Sequence, residues 1–214
     1  MTFSIVAFDP ANGDLGVAVQ SKFPNVGVSI PFAKAGVGAV ATQSYCNTSY
    51  GPRGLALLES GASPQQAVDI LTGGDEQRDY RQVGIIDARG RTASFTGAHC
   101  FDWAGDAQGV CCAAQGNTLA GSGVVAGMVR GFEDAGGSLA ERLLAALQAG
   151  QAGGGDRRGQ QSAALVVVRA GGGYGGFDDR YVDISVYDHP TPIAELERLY
   201  AIHRLTYFRS DPAQ

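Results

Sequence analysis

The sequence predicts an α+β fold in which two mainly antiparallel sheets stack on each other and the helices lie outside them. Two hairpin signals support this prediction: an Asn-Gly pair at residues 12–13 and a turn from Asp87 to Gly90, each between two strand-forming segments. The helical segments come in pairs between groups of strands, whereas a parallel doubly wound sheet requires alternation of strand and helix. The 214 residues fit one domain, 1–214, with a single core.

The first half of the chain contains four predicted strands and two predicted helices. Alternating residues with a preference for strands predict "TFSIVAFD", "LGVAVQSK", "VGVSIPF" and "GVGAVATQ" as strands. The helices follow as "GPRGLALLESG" and "SPQQAVDILTGG". In the second helix Ser63 and Gln66 form a capping box, Pro64 takes the first helical position and Gly73 ends the helix.

The second half continues with a hairpin, a strand, two helices, two strands and a final helix. The hairpin is "QVGIIDARGRTASFTG", and the strand after it, "GVCCAAQGNTLAG", is apolar with a polar end. The helix pair is "SGVVAGMVRGFEDAGG" and "SLAERLLAALQAG", the second with a Ser138/Glu141 capping box. The last strands are "QSAALVVVRA" and "RYVDISVYD". A C-terminal helix then spans about residues 191–208, capped by Thr191 with Pro192 at its first position.

The charge balance and the cysteine pattern exclude several classes of function. The net charge is −5 at pH 7 and no basic tract occurs, so nucleic acid and anionic membranes are poor partners. The four cysteines include no CxxC pair, which argues against a zinc site or a disulfide framework. Because there is no signal-peptide pattern and no apolar run of 18 residues, we expect a cytoplasmic protein, and we expect no cofactor or metal.

Thr2 is the first residue of the first predicted strand and a candidate nucleophile. A threonine hydroxyl is a weak nucleophile that needs a base. A chain-terminal threonine carries one in its own α-amine, whose pKa is about 7.7–8.0 in peptides. The amine can take the hydroxyl proton while the oxygen attacks an amide carbonyl. This chemistry requires removal of Met1, because an acylated nitrogen is not basic. The alternative is that Thr2 is a β-branched residue that simply starts a strand.

Polar residues at strand ends supply further candidates. Lys22 and Lys34 flank the early strands and could lower the pKa of a terminal amine or stabilise negative charge. The stretch "ATQSYCNTSYGPRG" carries Gln43 and Arg53 between a strand and a helix, where the arginine could pair with a substrate carboxylate. The alternatives are solvated lysines at strand ends, and turn and cap chemistry in the loop.

Gln115 and Asn117 lie on either side of a glycine at the end of an apolar strand, in "AAQGNTLAG". Buried amides there could supply an oxyanion donor, or they could hold a loop in place. His99 and Cys100 raise the hypothesis of a thiol nucleophile, but neighbours on an extended segment point their side chains apart. We therefore do not assign that pair a catalytic role.

Several motifs together resemble one protein family over essentially the whole chain. They are "MTFSIVAFDPANGDLGVAVQSKFPNVG", "AGVGAVATQSYCNTSYGPRGLALL", "RQVGIIDARGRTASFTG", "QGNTLAG" and "VDISVYDHPTPIAELERLYAIHRLTYF". The combination resembles the domain of unknown function 1028 family, which is grouped by fold with the N-terminal-nucleophile (Ntn) hydrolases. The resemblance implies a four-layer αββα sandwich, which agrees with the element order.

The resemblance also implies where a nucleophile would lie. In Ntn hydrolases the nucleophile is the first residue of the mature chain, at the start of the first strand, and Thr2 matches that position. A lysine from a neighbouring strand often assists it, and Lys34 or Lys22 could take that place. The resemblance implies no demonstrated reaction, since a fold does not define a function.

Two functions of different classes follow as hypotheses. The first is an amide-bond hydrolase acting on a small-molecule or peptide-like substrate. Its catalytic residues would be Thr2, Lys34 and Asn117, and its substrate-binding residues Lys22, Gln43, Arg53 and Gln115. The second is a non-catalytic metabolite-binding or assembly protein on the same fold. The C-terminal helix predicts a homodimer interface through its apolar residues Leu196, Leu199, Tyr200, Tyr207 and Phe208.

Overall fold

The structure is a computed structural model that describes residues 2–207. Within these residues it contains ten strands and five α-helices. The strands are β1 Thr2–Phe8, β2 Leu15–Ser21, β3 Pro31–Lys34, β4 Gly38–Ser44, β5 Arg81–Asp87, β6 Thr92–Thr96, β7 Gly105–Gly109, β8 Cys112–Asn117, β9 Ser162–Val168 and β10 Arg180–Val186. The helices are α1 Tyr50–Glu59, α2 Pro64–Gly73, α3 Gly123–Asp134, α4 Leu139–Ala152 and α5 Pro192–Tyr207.

The strands form two sheets in which all neighbouring strands are antiparallel. The six-stranded sheet has the order β10-β9-β2-β1-β8-β7, and the four-stranded sheet has the order β3-β4-β5-β6. In the first sheet β1 is an inner strand: Thr2 lies opposite Ser21 of β2 on one side and opposite Asn117 of β8 on the other. The predicted α+β fold with two antiparallel sheets is therefore confirmed.

Strand alternation distributes the apolar side chains among three core clusters. Phe3 and Ile5 of β1 pack in a cluster with residues of α3 and α4, whereas Val6 packs with residues of the other sheet. A third cluster joins α1 and α2 to the four-stranded sheet. Because successive side chains of a strand point to opposite faces, Thr2 and Ser4 share the inner face with Val6. That inner face is therefore polar where β1 begins and apolar where it ends.

The capping signals of two helices are confirmed by their hydrogen bonds. The Ser63 hydroxyl accepts from the backbone N–H of Gln66, and the Gln66 side chain accepts from the backbone N–H of Ser63. Ser138 and Glu141 make the same reciprocal pair at the start of α4. Each box satisfies backbone donors that a helix leaves without partners in its first turn, so the sequence locates both helix starts.

Two local predictions differ from the structure. The segment "VGVSIPF" forms a 3₁₀ turn at Val26–Val28, and only Pro31–Lys34 is a strand. Gly27 approaches β10 so closely that an added Cβ would lie 2.2 Å from the Ser185 hydroxyl oxygen. Strand β7 is not predicted at all, because "GDAQG" is polar and rich in glycine. It is ordered by antiparallel pairing with β8.

The apolar residues of α5 are partly used inside the molecule. Leu196 and Tyr200 are buried in the cluster that contains α4 and the six-stranded sheet, so they are not available to a partner. The homodimer stays a prediction, and Phe208 and the side chain of Tyr207 lie outside what the structure describes. None of the helices within residues 2–207 combines the length and the apolar character needed to cross a membrane.

Candidate active site between the sheets

Thr2 begins β1 with its side chain between the two sheets. The residue is 3% exposed, and its hydroxyl donates a hydrogen bond to the Ser21 hydroxyl oxygen at 3.0 Å. The side-chain amide of Gln43, from the other sheet, lies 3.4 Å from the Thr2 carbonyl oxygen. Asn117 is the cross-strand neighbour on the remaining side. One hydroxyl and two carboxamides from three strands therefore surround this threonine.

Gln82 of β5 is the centre of a hydrogen-bonded network on the same inner faces. Its Nε2 donates to the Gly116 carbonyl oxygen at 2.8 Å. That bond fixes the orientation of the carboxamide, because a carbonyl oxygen cannot donate. Its Oε1 accepts from Nε2 of Gln43 at 2.8 Å and from Nδ2 of Asn117 at 2.9 Å. Gln82 thus determines which way both neighbouring carboxamides face.

The network continues to Ser4 and Gln115. Because Gln43 turns its N–H group to Gln82, its Oε1 faces β1 and accepts from the Ser4 hydroxyl at 2.6 Å. Nε2 of Gln115 donates to the Ser4 hydroxyl oxygen, also at 2.6 Å. All five residues of this glutamine network (Ser4, Gln43, Gln82, Gln115 and Asn117) are 0% exposed. Hydrogen bonds in such a low-dielectric interior are stronger than in water and make the network rigid.

Two acceptors at the ends of the glutamine network have no hydrogen-bond partner among residues 2–207: Oδ1 of Asn117 and Oε1 of Gln115. A buried acceptor without a donor costs about 1–3 kcal/mol. The Gln115 oxygen lies over Gly84, where an added Cβ would come within 2.0 Å of it. Asn117 lies opposite Thr2. A donor placed beside the Asn117 or the Gln115 oxygen would remove this cost in free energy.

A pocket of about 600 Å³ opens at the end of the sheets where Thr2 lies. Its lining residues are Ser44, Tyr45, Gln77, Tyr80, His99 and Phe101, and we call it the aromatic pocket. Ser44 directly follows Gln43 of the glutamine network. The Phe101 carbonyl oxygen accepts from the backbone N–H of Thr118 at 2.8 Å, and Thr118 directly follows Asn117. The aromatic pocket therefore adjoins the glutamine network in two places: Ser44 follows Gln43 in the chain, and Phe101 is hydrogen-bonded to the residue that follows Asn117.

A buried ion pair holds the loops beside the aromatic pocket. Nε of Arg81 donates to Oδ2 of Asp75 at 2.9 Å, and the two side chains are 9% and 12% exposed. Tyr50 Oη and Asn47 Nδ2 donate to the same carboxylate oxygen at 2.9 and 3.1 Å. The hydrogen bond from Arg81 holds the pKa of Asp75 well below its usual range. Burial, followed by the hydrogen bond to Asp75, raises the pKa of Tyr50.

The family is decided by comparison with known proteins. A model of the family of unknown function DUF1028 matches residues 2–196. The chain belongs to that family. This DUF1028 protein is similar to the solved protein SPO2555 from Silicibacter pomeroyi, also matched to the DUF1028 family model, with 32% identity and a TM-score of 0.88 over 95% of this chain and 86% of that one.

A second solved structure similar to this DUF1028 protein is Anbu, the ancestral β-subunit, from Yersinia bercovieri. It is 10% identical, with a TM-score of 0.44 over 99% of this chain and 98% of that one. No curated protein matches the chain. The predicted family membership is confirmed, and the activity has to be argued from the site.

Four of the predicted site residues of this DUF1028 protein lie together. Thr2, Gln43, Gln115 and Asn117 meet on the inner faces of the two sheets. They come from three strands that are distant in the chain, and each carries a polar side chain at a strand end where it faces inward. Their roles remain predictions, but their proximity is a property of the fold.

Lys34 lies away from these residues. It pairs with Gly38 at the far end of β4, about 17 Å from Gln43 at 3.4 Å per residue. Its Nζ instead forms an exposed ion pair with Glu59 at 2.5 Å. The structure therefore corrects the expectation that Lys34 assists Thr2, because β3 places Lys34 beside the end of β4 that is distant from Gln43 and Thr2.

The remaining two predicted residues are exposed. Arg53 is an exposed residue of α1, which packs against the four-stranded sheet, and its pairing with a substrate carboxylate stays a prediction. Lys22 directly follows Ser21 at the Thr2 end of the sheet, and its Nζ donates to the Gln160 carbonyl oxygen at 3.2 Å. Of the two predicted lysines, Lys22 is the one at the Thr2 end of the sheet, because it follows Ser21, the cross-strand partner of Thr2.

Sequence reasoning missed several residues of the site. The sequence does contain a signal for Gln82, because alternation along β5 puts it on the same face as Gly84 and Ile86, where an apolar residue is expected. Arg81 and Asp75 carry no such signal. Their burial depends on α1 and on loops that are brought together only by the fold.

The described residues contain no group that could hold a metal ion, and burial disfavours ionisation of two of the cysteines. Within residues 2–207 no three His, Cys, Asp or Glu side chains come together as a group that could hold a metal ion. Burial raises the pKa of Cys100, and it raises the pKa of Cys112 to about 12. Both groups therefore stay protonated thiols at neutral pH, and a protonated thiol is a poor nucleophile.

Replacing Gln82 by leucine tests whether this residue holds the glutamine network together. We expect Gln82→Leu to lower the free energy of unfolding by about 2 kcal/mol, because it leaves the amides of Gln43 and Asn117 and the Gly116 carbonyl without their partner. Urea unfolding followed by circular dichroism measures the change. The control Gln108→Leu removes an exposed strand glutamine and should stay within about 0.5 kcal/mol. Equal effects of the two variants would contradict the prediction.

Proposed function

We propose that this protein is an amide-bond hydrolase that uses Thr2 as an N-terminal nucleophile, on a four-layer αββα sandwich of the Ntn type. The observation that carries the proposal is the position of Thr2. It begins an inner strand, its hydroxyl is held by Ser21 at 3.0 Å, and side-chain amides from both sheets surround it. Polar groups arranged around a buried hydroxyl at a strand start suit a nucleophile better than a residue that only begins a strand.

The proposed reaction needs Met1 to be removed first. The free α-amine of Thr2 takes the hydroxyl proton while Oγ1 bonds to the amide carbonyl carbon. The C–N bond of the tetrahedral intermediate then breaks, and the leaving amine takes the proton from the α-ammonium group. Water, with the same α-amine as base, hydrolyses the ester left on Thr2. The products are an amine and a carboxylic acid, and the hydroxyl is restored.

Asn117 supports this mechanism in two ways. Its Oδ1 is buried without a donor, and the α-amine of a terminal Thr2 would be a donor beside it. Its Nδ2 carries two hydrogens, of which Gln82 accepts one, so the second can stabilise the oxyanion. Gln43 and Gln115 are proposed to hold the end of β1 and the substrate amide in place. Lys22 is proposed to lie at the entrance of the site.

Reaction with a β-lactone tests the proposal without knowledge of the substrate. A nucleophilic hydroxyl opens the lactone ring and keeps every atom of the reagent, so intact mass spectrometry should show one full reagent mass per chain. The unreacted protein should have lost the mass of Met1, and peptide mapping should place the adduct on Thr2. A chain that retains Met1 in its native host, or an adduct on another residue, would refute the mechanism.

A second candidate function is binding of a small molecule without turnover. The aromatic pocket favours it, because its volume of about 600 Å³ lies within the range of ligand sites, about 300–1,000 Å³. The two functions are separated by Thr2→Ala. A binding protein keeps its affinity and its role in this variant, whereas a hydrolase keeps its affinity and loses turnover.

A further inference from the structure

The aromatic pocket brings together exposed rings from three separate loops. Tyr45, Tyr80 and Phe101 are 68%, 49% and 65% exposed, yet all three line the same cavity. They follow β4, precede β5 and lie between β6 and β7, respectively. Exposed aromatic residues also occur singly elsewhere, as at Phe177. Convergence of three rings on one concave site is what distinguishes a ligand pocket from scattered exposed residues.

Hydrogen bonds to backbone carbonyl groups hold the loops that carry the aromatic pocket, and the rings of Tyr80 and His99 also contact each other, with centroids 4.8 Å apart. The backbone N–H of Tyr45 donates to the Tyr80 carbonyl oxygen at 3.1 Å, and the N–H of His99 donates to the Asp79 carbonyl oxygen at 2.7 Å. Nη1 of Arg81 donates to the Tyr45 carbonyl oxygen at 2.5 Å. The loops that carry these rings are therefore fixed before any ligand arrives, which lowers the entropy cost of binding.

The charges near the aromatic pocket indicate what kind of group it accepts. None of the lining residues within 2–207 is Asp, Glu, Lys or Arg. The guanidinium of Arg81 lies 5.1 Å from the centre of the Tyr45 ring, so that ring already contacts a cation, and Asp75 neutralises the guanidinium. A ligand cation would have to share the Tyr45 ring with the Arg81 guanidinium, and a ligand anion would find no unpaired cation among the lining residues that the structure describes. An uncharged ring fits this lining best.

We propose that the aromatic pocket binds the uncharged aromatic group of a small amide and thereby presents the adjoining amide bond to Thr2. Two residues link the aromatic pocket to the residues around Thr2. Ser44 follows Gln43 in the chain, and the Phe101 carbonyl oxygen accepts a hydrogen bond from the backbone N–H of Thr118, which follows Asn117. The ring would rest on Tyr45, Tyr80 and Phe101, and Gln77 and His99 would supply polar contacts at the rim. Cleavage of the presented amide rests on the function proposed above, whereas binding of the ring does not.

Ligand-observed NMR with phenylacetamide and acetamide tests the pocket. We expect phenylacetamide to bind at least tenfold more tightly than acetamide, and at least threefold more tightly than phenylacetate or benzylammonium, which are charged. Phe101→Ala and Tyr45→Ala should each weaken phenylacetamide binding at least fivefold. Both side chains are exposed, so both variants should fold, which a thermal melt verifies. The control Phe177→Ala removes a ring that is 94% exposed elsewhere and should leave binding unchanged.

The outcomes separate this proposal from the hydrolase proposal. Equal affinity for acetamide and phenylacetamide, or unchanged phenylacetamide affinity in both Phe101→Ala and Tyr45→Ala, would contradict the proposal that the aromatic pocket binds the ring. Undiminished phenylacetamide binding in Thr2→Ala supports it, whether or not Thr2 reacts with a β-lactone. A Thr2 that reacts in wild type at equal rates with phenyl-bearing and plain lactones would leave the hydrolase standing and refute presentation by the pocket.

Discussion

Replacing Thr2 by alanine is expected to slow β-lactone acylation and amide turnover about 10³-fold or more. Removal of a nucleophile typically costs several orders of magnitude and leaves only the rate that binding and the oxyanion site provide. The hydroxyl accounts for the loss, because alanine keeps the strand and the α-amine. The measurement is the rate of adduct formation by intact mass spectrometry, at a pH near the α-amine pKa of about 7.7–8.0.

Thr2→Ser is the matched control for this prediction. It keeps a hydroxyl that can bond to Ser21 and removes one methyl group, so acylation should remain within about tenfold of wild type. Below the pKa of the amine both forms should slow, because a protonated amine cannot accept the hydroxyl proton. If Thr2→Ala acylates as fast as wild type, Thr2 is not the nucleophile. If acylation of Thr2→Ser is as slow as that of Thr2→Ala, loss of the hydroxyl does not explain the slow acylation of the alanine variant.

Asp75→Asn is expected to produce the largest loss of stability, about 3 kcal/mol at pH 7. The variant leaves the Arg81 guanidinium, which is 9% exposed on its side chain, without its counter-charge, and breaking a buried pair from one side costs about 3–5 kcal/mol. It also disturbs the acceptor shared by Tyr50 and Asn47. Urea unfolding monitored by circular dichroism gives the difference.

The effect of Asp75→Asn should also depend on pH. Arg81 lowers the folded-state pKa of Asp75, so the carboxylate contributes stability at pH values above its unfolded pKa of about 3.9. That contribution is lost as the pH falls through the folded-state value, and the gap between wild type and variant should shrink below pH 4. The control Asp183→Asn breaks an exposed pair with Arg180 and should cost about 0.5 kcal/mol or less. A constant gap from pH 7 to pH 3 would contradict the assignment.

The sequence predicts much of this fold because the relevant signals are local. The Asn-Gly turn after β1, the capping boxes at Ser63 and Ser138, and the alternation of β1 each depend on residues within a few positions of one another. Where neighbours distant in the chain decide the conformation, prediction failed. Strand β7 is ordered by its pairing with β8, and Val26–Val28 forms a 3₁₀ turn in which Gly27 packs closely against β10.

The candidate site divides in the same way. The sequence by itself determined the family, most of the strands and helices along the chain, and the presence of a threonine and several amides at strand ends. Only the tertiary structure decided that Gln43 and Asn117 share the oxygen of Gln82, that Lys34 lies at the other end of β4, and that Arg81 and Asp75 are buried as a pair. The physical reason is that local hydrogen bonds and side-chain alternation act within a segment. Desolvation and the partner of each polar group depend instead on which segments the two sheets bring together.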